Sequence, residues 1–508
     1  MAVGLVACLV ARAESPSLVF AGLSIAPIDD SPSRNLTAFD PGLERIGTVK
    51  PRSVHDIASS CWMLDGATQD RDFVNFDEYC QYLEPLGIRR LRLMAGWAKT
   101  EKRKGVYDFA WLDRQVDWCK AHAIDVYLDI SYGNPIYPGA GGIGLADGIP
   151  RSAEGLAAWD RWVEALAVHY KGRVTDWAIW NEPDNRMDVH GFQAADIVAL
   201  NVRTAKALKR IMPDCCVNGF SLCGLNDRVV KNYEDCLKLL GEDVRYFDTI
   251  AFHAYAANPD SVYGHVEQLL RLCKKYTPTL AVRQTESGCP SEWVPGFAIA
   301  NRPLSENSQA KWDLRRMLGD WGRGIPCSIL HISDMNYITD RYCVFNRKGL
   351  LRANSDHQIV QVKKAYYAVQ NAVAVFDDSV KPVLDDRKFT SDDPTVSAFE
   401  FRKDGGMPIL AYWEHGMVDP KTHELKDLSI PRDDFNARPA YFEWKGAKLK
   451  EPVLVDLFSG AVFAVPENRQ VVHSQGITFV RLPLYDSPCL LAERAAVGLQ
   501  PMEKGTLQ

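Results

Sequence analysis

Val174-Thr175-Asp176-Trp177-Ala178-Ile179-Trp180-Asn181-Glu182-Pro183 is the stretch on which the reading of this chain turns. Lys171-Gly172 precede it and Pro183 closes it, so a short apolar run between turn residues reads as a buried strand ending at Asn181-Glu182. The helix before it is written in Trp159, Trp162, Val163, Leu166 and Tyr170, the spacing of one helical face. The arrangement returns downstream, where Val266, Leu269, Leu270 and Cys273 mark a helix and Thr279-Leu280-Ala281-Val282 leads into Arg283-Gln284-Thr285-Glu286-Ser287-Gly288. Each unit delivers one glutamate, Glu182 or Glu286, to the carboxyl end of a strand.

Outward from these two units, strands are predicted near 57–64, 88–94, 124–130, 174–180, 215–220, 247–252, 280–284 and 327–332. Helices are predicted near 73–86, 111–122, 154–170, 192–212, 229–240, 262–276, 308–321 and 358–375. Strict alternation argues for a parallel sheet, and eight such units suit an α/β fold of the (β/α)8 TIM-barrel type. Active sites in that barrel lie at the carboxyl ends of the strands, so Glu182 and Glu286 are expected to line one mouth from strands four and seven.

Helical periodicity stops after about residue 376. A charged stretch from Asp377-Asp378 to Asp392-Asp393-Pro394 leads into short alternating segments near 396–401, 408–413, 440–444, 453–458, 462–465 and 477–482, which read as an accessory β-sandwich. The expected organisation is an N-terminal segment over 1–54, a catalytic barrel over 55–376 and a sandwich over 377–508. Within the first, 1–9 reads as a strand with 17–25 as its hairpin partner, packing with the sandwich.

At 508 residues the chain can bury a large core and form more than one domain. A formal net charge of −6 leaves no basic footprint, so nucleic acid is not an expected partner. No apolar run reaches the ~18–20 residues of a membrane helix. Thirteen cysteines, including the adjacent Cys215-Cys216 and Cys61, Cys273 and Cys327 on predicted buried faces, form no disulfide framework and point to a reducing, cytoplasmic setting. Secretion and a lipid anchor are the alternatives, from Ala11-Arg12-Ala13 and Leu5-Val6-Ala7-Cys8 behind an apolar start with no preceding Lys or Arg. No Cys-x-x-Cys or His-x3-His spacing suggests a metal, and no cofactor is expected.

Two carboxyl groups at one mouth suit glycoside hydrolysis. One protonates the leaving oxygen while the other attacks the anomeric carbon, with about 5–5.5 Å between them in retaining enzymes. Asn-Glu-Pro alone is also a turn signal and Thr-Glu-Ser-Gly a helix cap, but both fall at predicted strand ends, which favours the chemistry. Asn181 is placed to bond a sugar 2-hydroxyl, a contact that strengthens in the transition state. Arg92, on strand two, is expected to point inward and hold the charge of Glu286, with Arg89 and Arg90 as competitors. Trp62, Trp97 and Trp293 are candidates for stacking on sugar faces.

Further motifs are Trp97-x3-Glu101-x3-Gly105-x-Tyr107-Asp108-Phe109, Tyr132-Gly133-Asn134-Pro135, Phe252-His253-Ala254-Tyr255 and Ser333-Asp334. With these, the chain resembles clan A of the glycoside hydrolases over about residues 55–375, and within it the family 39-like enzymes most. The resemblance implies that Glu182 is the acid/base and Glu286 the nucleophile, that Tyr255 bonds Glu286 and keeps it ionised, and that His253, Trp97, Asn134, His331 and Asp334 belong near substrate. Many clan members place a Trp at the end of strand eight; this chain has His331, which predicts a more polar floor.

The function expected is a retaining β-glycoside hydrolase, the β assignment being implied by the clan, acting by double displacement on oligosaccharides or glycoconjugates. Loops over 137–142 and 288–302 favour exo action. An endo-acting polysaccharide hydrolase, a transglycosidase and a non-catalytic carbohydrate-binding protein are the alternatives. Carbohydrate is the expected partner, and a homo-oligomer is left open.

Overall fold

Eight parallel strands form one sheet: Trp62–Asp65, Arg90–Met94, Asp125–Ile130, Asp176–Ile179, Cys216–Leu222, Thr249–His253, Ala281–Glu286 and Cys327–Leu330. The structure is a computed structural model and describes residues 40–502 apart from 67, 295, 300, 339–342, 385–387, 420 and 423–424. The strands follow one another in chain order from one to seven, with strand eight beside strand one. A few bonds close the ring between the outer two: the Gln284 amide donates to the Pro326 carbonyl (3.0 Å), the Leu330 amide to Ser287 (2.9 Å) and Gln284 Nε2 to the Ser328 carbonyl (3.2 Å). Most strand residues are buried on both faces, which is why these segments read as apolar runs rather than as alternation.

Helices Ala110–Ala121, Ala153–Tyr170, Ala194–Ile211, Asp227–Leu240, Tyr263–Tyr276, Glu306–Trp321 and Lys364–Val375 surround the sheet. Ala153–Tyr170 shows how local signals set their bounds. The Ser152 side chain accepts from the Gly155 amide at its start, and Trp159, Trp162, Val163, Leu166 and Tyr170 are buried along its inner face. The helix expected over 73–86 is instead broken into Phe76–Tyr79, a 3-10 turn at Cys80–Tyr82, and Leu83–Leu86. Asn75 caps the first piece, and Pro85 lacks the N–H that a continuous helix needs. The helix expected over 358–375 begins only at Lys364, because Ile359–Val362 pairs as a strand with Leu351–Ala353. The strand expected from 57 starts at Trp62, after a short turn at Val54–Asp56 capped by Ser53.

A second body of antiparallel sheet follows the barrel. Its larger sheet runs Val380–Pro382, Val396–Lys403, Met407–Glu414, Cys489–Glu493, Pro452–Asp456, Ala461–Ala464, Arg45–Val49 and Leu499–Pro501. Its smaller sheet runs Phe389–Ser391, Arg438–Lys445, Gly476–Leu484 and Gln470–His473. Leu410, Tyr412, Phe442, Trp444, Leu454, Phe479 and Leu491 fill the space between the two sheets. Arg45–Val49 precedes the barrel in the chain yet pairs within the sandwich, with Ala461–Ala464 on one side and Leu499–Pro501 on the other. The strand and hairpin expected over 1–9 and 17–25 lie outside the described residues.

Helix Glu306–Trp321 joins the two bodies. Its buried Lys311 donates to Asp486 (2.9 Å) from the sandwich, and its Arg315 pairs with Asp260 (2.7 Å), which also accepts from the Trp413 indole (3.0 Å). No two of the described cysteines are bonded to each other. Among the described residues no helix is long and apolar enough to cross a membrane.

Candidate active site

Strand four ends in backbone that L-residues adopt at a cost. Trp180 (φ 60°) and Glu182 (φ 52°) are both left-handed, a conformation worth roughly 1–3 kcal/mol of strain at a non-glycine residue. Neighbouring strand ends hold it in place: the Asn181 amide donates to Ser131 Oγ (2.8 Å), and the Glu182 amide to the Ser221 carbonyl (2.9 Å). On strands six and seven, His253 and Glu286 lie side by side in register, immediately after an irregularity that follows Phe252. Such a kink re-aims the side chains beyond it.

The result is a tight cluster. His253 Nδ1 lies 2.9 Å from Glu182 Oε1 and 3.8 Å from Glu286 Oε2. A ring nitrogen of His253 and one oxygen of each carboxylate are all within 4.8 Å of one another. Glu286 Oε2 accepts from Arg92 Nη1 and Oε1 from the Tyr255 hydroxyl, both at 2.8 Å. Arg92 is buried and also bonds Asp65 (2.6 Å), Asp129 (2.7 Å) and Asn181 Oδ1. A single guanidinium thereby ties the ends of strands one, two, three, four and seven. Asn181 Nδ2 donates to the Tyr132 hydroxyl (2.7 Å). The competitors of Arg92 lie elsewhere: Arg89 donates to the carbonyls of Ile57, Ala58 and Ala123, and Arg90 lies 3.3 Å from Asp176.

The electrostatics differ between the two glutamates. Burial alone would raise the pKa of Glu286, but the charges of His253 and Arg92 and the bonds from Arg92 and Tyr255 outweigh it and hold the carboxyl at about 2. His253 is pushed down by burial and up, by more, by Glu286 and Glu182, so its imidazole is a better base than usual. Burial and the same two carboxylates push the Tyr255 hydroxyl well up, which keeps it a donor. Beside Glu182, the Cys223 thiol is likewise pushed up by burial and by Glu182 and Asp184. The His253 nitrogen and the two carboxylates could meet a divalent cation, but the Arg92 guanidinium already occupies Glu286 Oε2 and opposes a second positive charge there.

Other residues nominated from sequence fall in different places. Trp97 and Asn134, expected against sugar, are buried and bonded around Glu101. The Trp97 indole donates to Glu101 Oε2 (2.6 Å), and its ring stacks on Trp162 (5.6 Å) and Tyr137 (5.8 Å). Asn134 Nδ2 donates to the Glu101 carbonyl (2.8 Å), and the Tyr137 hydroxyl to Glu101 Oε1 (2.5 Å). The physical reason is Glu101 itself, a fully buried carboxylate that must collect donors. Trp62 is core, its indole bonded to the Phe376 carbonyl (2.8 Å), while Trp293 is exposed. Asp334 is buried and anchors the hairpin of Met335–Ile338 and Cys343–Asn346 through Lys363 (2.6 Å) and Arg347 (3.1 Å). His331 is buried at the end of strand eight, with no partner for either ring nitrogen among the described residues, and burial pushes it down to about 3, so it is neutral.

Sequence reasoning passed over Asp65, Asp129, Arg71 and Lys348, and gave Tyr132 only as part of a motif, with no role of its own. The two aspartates carried a usable signal, since an acidic residue within or ending an apolar barrel strand has to face a cation. Arg71, Tyr132, Phe73, Tyr337, Phe297 and Lys348 form a rim. Arg71 lies over the Tyr132 ring (4.7 Å), Tyr337 meets Phe73 (4.6 Å) and Phe297 (5.2 Å), and Lys348 Nζ lies 5.7 Å from the Tyr255 ring. Arg71 and Phe73 share one segment, while Tyr132, Phe297, Tyr337 and Lys348 come from others far along the chain, so no local pattern joined them. A cavity of about 500 Å³ between Val396–Lys403 and Tyr263–Tyr276 includes none of the clustered groups.

No protein-family model and no curated protein matches this chain in sequence. Solved structures share its fold. A family 39 glycoside hydrolase from the gut symbiont Bacteroides cellulosilyticus superposes with a TM-score of 0.59 at 16% identity, over 88% of this chain and 83% of that one. A monomeric β-xylosidase from Caulobacter crescentus gives 0.53 at 14%, over 90% and 98%. A family 30 endoxylanase from Clostridium papyrosolvens gives 0.53 at 13%, over 89% and 98%. The chain has the barrel-and-sandwich architecture of these clan A enzymes.

Proposed function

We propose that the protein is a retaining β-glycoside hydrolase that cleaves oligosaccharides or glycoconjugates by double displacement. The observation that carries the reading is the carboxylate pair: oxygens of Glu182 and Glu286 lie within 4.8 Å of each other. Retaining enzymes separate the two groups by about 5–5.5 Å, whereas inverting enzymes leave about 6.5–9.5 Å for a water.

Each side chain then has a task that follows from its surroundings. Glu286, held ionised by Arg92, His253 and Tyr255, attacks the anomeric carbon. With His253 Nδ1–H donating to Glu182 Oε1, the acid proton of Glu182 sits on Oε2 and passes to the leaving oxygen as the glycosidic bond breaks. The glycosyl ester on Glu286 is then cleaved by a water whose proton returns to Glu182, now the base, and Glu286 leaves as the carboxylate. Asn181 spends one N–H on Tyr132 and keeps the other for the sugar 2-hydroxyl. The β assignment and a preference for exo action rest on the likeness to clan A and on the rim around the mouth.

Aryl β-glycosides of glucose, galactose, xylose, mannose, fucose, arabinose and glucuronic acid, assayed with wild type, Glu286→Ala and Glu182→Ala, test the proposal. Turnover lost in both variants, partial rescue by azide, and a first-formed product of β configuration by proton NMR are expected. A first product of α configuration overturns the retaining mechanism.

A further inference from the structure

The strand-eight hairpin brings three buried cations together, and two of them are satisfied. Arg347 pairs with Glu292 (2.9 Å) and Asp334 (3.1 Å); Lys363 pairs with Asp334 (2.6 Å) and donates to Ser291 Oγ (2.9 Å). Lys348, between them in the chain, is 1% exposed and meets no carboxylate within 4 Å among the described residues. Its ammonium has a long contact with Asn346 Oδ1 (3.4 Å) and lies 5.7 and 5.6 Å from the Tyr255 and Phe297 rings. Those ring distances are near the ~6 Å limit at which cation–π attraction counts. An ammonium buried on such terms is poorly compensated.

Its position gives the missing partner an identity. Tyr255, whose ring it faces, bonds the nucleophile Glu286 at 2.8 Å, so Lys348 lies one side chain from the carboxylate that attacks the sugar. Glu286 attracts the ammonium from beyond Tyr255 but is already paired with Arg92 and bonded by Tyr255, and Arg71 is paired with Asp70 (3.5 Å), so Lys348 is the cation left without a carboxylate of its own. The neighbouring floor is His331, a small polar ring with both nitrogens unpartnered among the described residues, where a Trp would have offered an apolar face. Burial pushes Lys348 down to about 8, which still leaves it charged at neutral pH.

We propose that Lys348 recognises an acidic substituent, a carboxylate or a sulfate, on the sugar that Glu286 attacks. The inference rests on the glycosidase reading and narrows it from glycosides in general to those of anionic sugars. An anion bound to Lys348 completes a charge-assisted pair inside the mouth, and a neutral sugar leaves the ammonium facing hydroxyls.

The test compares kcat/KM for aryl β-glucuronide, aryl β-galacturonide, aryl 6-O-sulfo-β-glucoside and plain aryl β-glucoside, in wild type, Lys348→Met and Lys348→Arg. Wild type is expected to prefer an acidic glycoside over the plain glucoside; whichever arm leads tells carboxylate from sulfate. In Lys348→Met that preference falls roughly 100-fold, since a site built to bond a group discriminates strongly against its absence, and Lys348→Arg restores part of it. Turnover of the plain glucoside at least as fast as every acidic one in wild type overturns the inference and leaves the glycosidase reading standing. So does an unchanged preference in Lys348→Met. Silence with all four glycosides overturns the glycosidase reading for this class, and the inference with it. The wild-type comparison decides even where Lys348→Met fails to fold.

Discussion

Glu101 is buried and Glu286 partly so, and a tyrosine hydroxyl reaches each, yet they are held in opposite ways. Glu101 is saturated by neutral donors: the Trp97 indole, the Gly105 amide and the Tyr137 hydroxyl, all within 2.6 Å. Glu286 is held by charge, from Arg92 and His253, with one hydroxyl from Tyr255, and a second carboxylate sits within 4.8 Å. A carboxylate whose lone pairs are filled by fixed neutral groups serves the fold. One kept ionised by cations, with a facing acid, has reactivity left to use. The sequence placed both glutamates in recognisable motifs; their partners tell them apart.

Substitution of each glutamate separates the two roles most sharply. Glu286→Ala is expected to lower kcat by about 10⁴ or more in a protein that still folds cooperatively, measured by aryl glycoside turnover and urea titration. Glu101→Ala is expected to do the reverse. It leaves buried donors without an acceptor, costs roughly 3 kcal/mol of stability, and reduces the turnover of the folded fraction by no more than about tenfold. A Glu101 variant that loses activity at full stability would break the comparison.

The tyrosines sharpen it at smaller scale. Tyr255→Phe removes a bond that lowers the pKa of Glu286, so the acid limb of kcat/KM moves to higher pH and kcat/KM falls roughly tenfold. Tyr137→Phe leaves the acid limb in place and lowers the midpoint of unfolding by an amount equivalent to about 1 kcal/mol. An acid limb that moves in Tyr137→Phe and stays fixed in Tyr255→Phe contradicts the assignment.

The smallest effect is a pH dependence of stability. Glu286 is held near 2 in the folded protein against 4.5 for the unperturbed group, a depressed value. Its contribution is therefore present above about pH 4.5 and is lost as pH falls from there towards 2, because the unfolded chain binds the proton first. Urea titrations between pH 6 and 3 are expected to show a shallower loss for Glu286→Gln than for wild type. Equal slopes would mean that Arg92 and His253 do not stabilise the charge.

How far the fold was legible follows from what each segment had to satisfy. Strand four and its helix announced themselves because Trp159, Trp162, Val163, Leu166 and Tyr170 share one face and Trp177 and Ile179 are buried with it. The break in 73–86 was less visible, since the apolar spacing continues across Pro85 while the backbone bonding does not. Arg45–Val49 could not be placed from sequence: its partners, Ala461–Ala464 and Leu499–Pro501, come from the far end of the chain. At the site, Glu182 and Glu286 were legible as strand-end carboxylates. Trp97 and Asn134 were legible as motif residues, but their common partner Glu101 shows only in the fold, because a motif names residues and not the bonds between them. Lys348 carried no signal at all, since its meaning lies in having no carboxylate within 4 Å among the described residues once the hairpin has folded.

In the proposed mechanism Glu286, and no other carboxylate, carries the sugar. The direct measurement is mass spectrometry of peptides after incubation with an activated aryl 2-deoxy-2-fluoro-β-glycoside of a glycone the enzyme turns over, which slows release of the covalent ester. One fluoroglycosyl group is expected, on the peptide containing Glu286, appearing as activity is lost. A label on the Glu101 peptide, or inactivation with no label on any carboxylate, would contradict it.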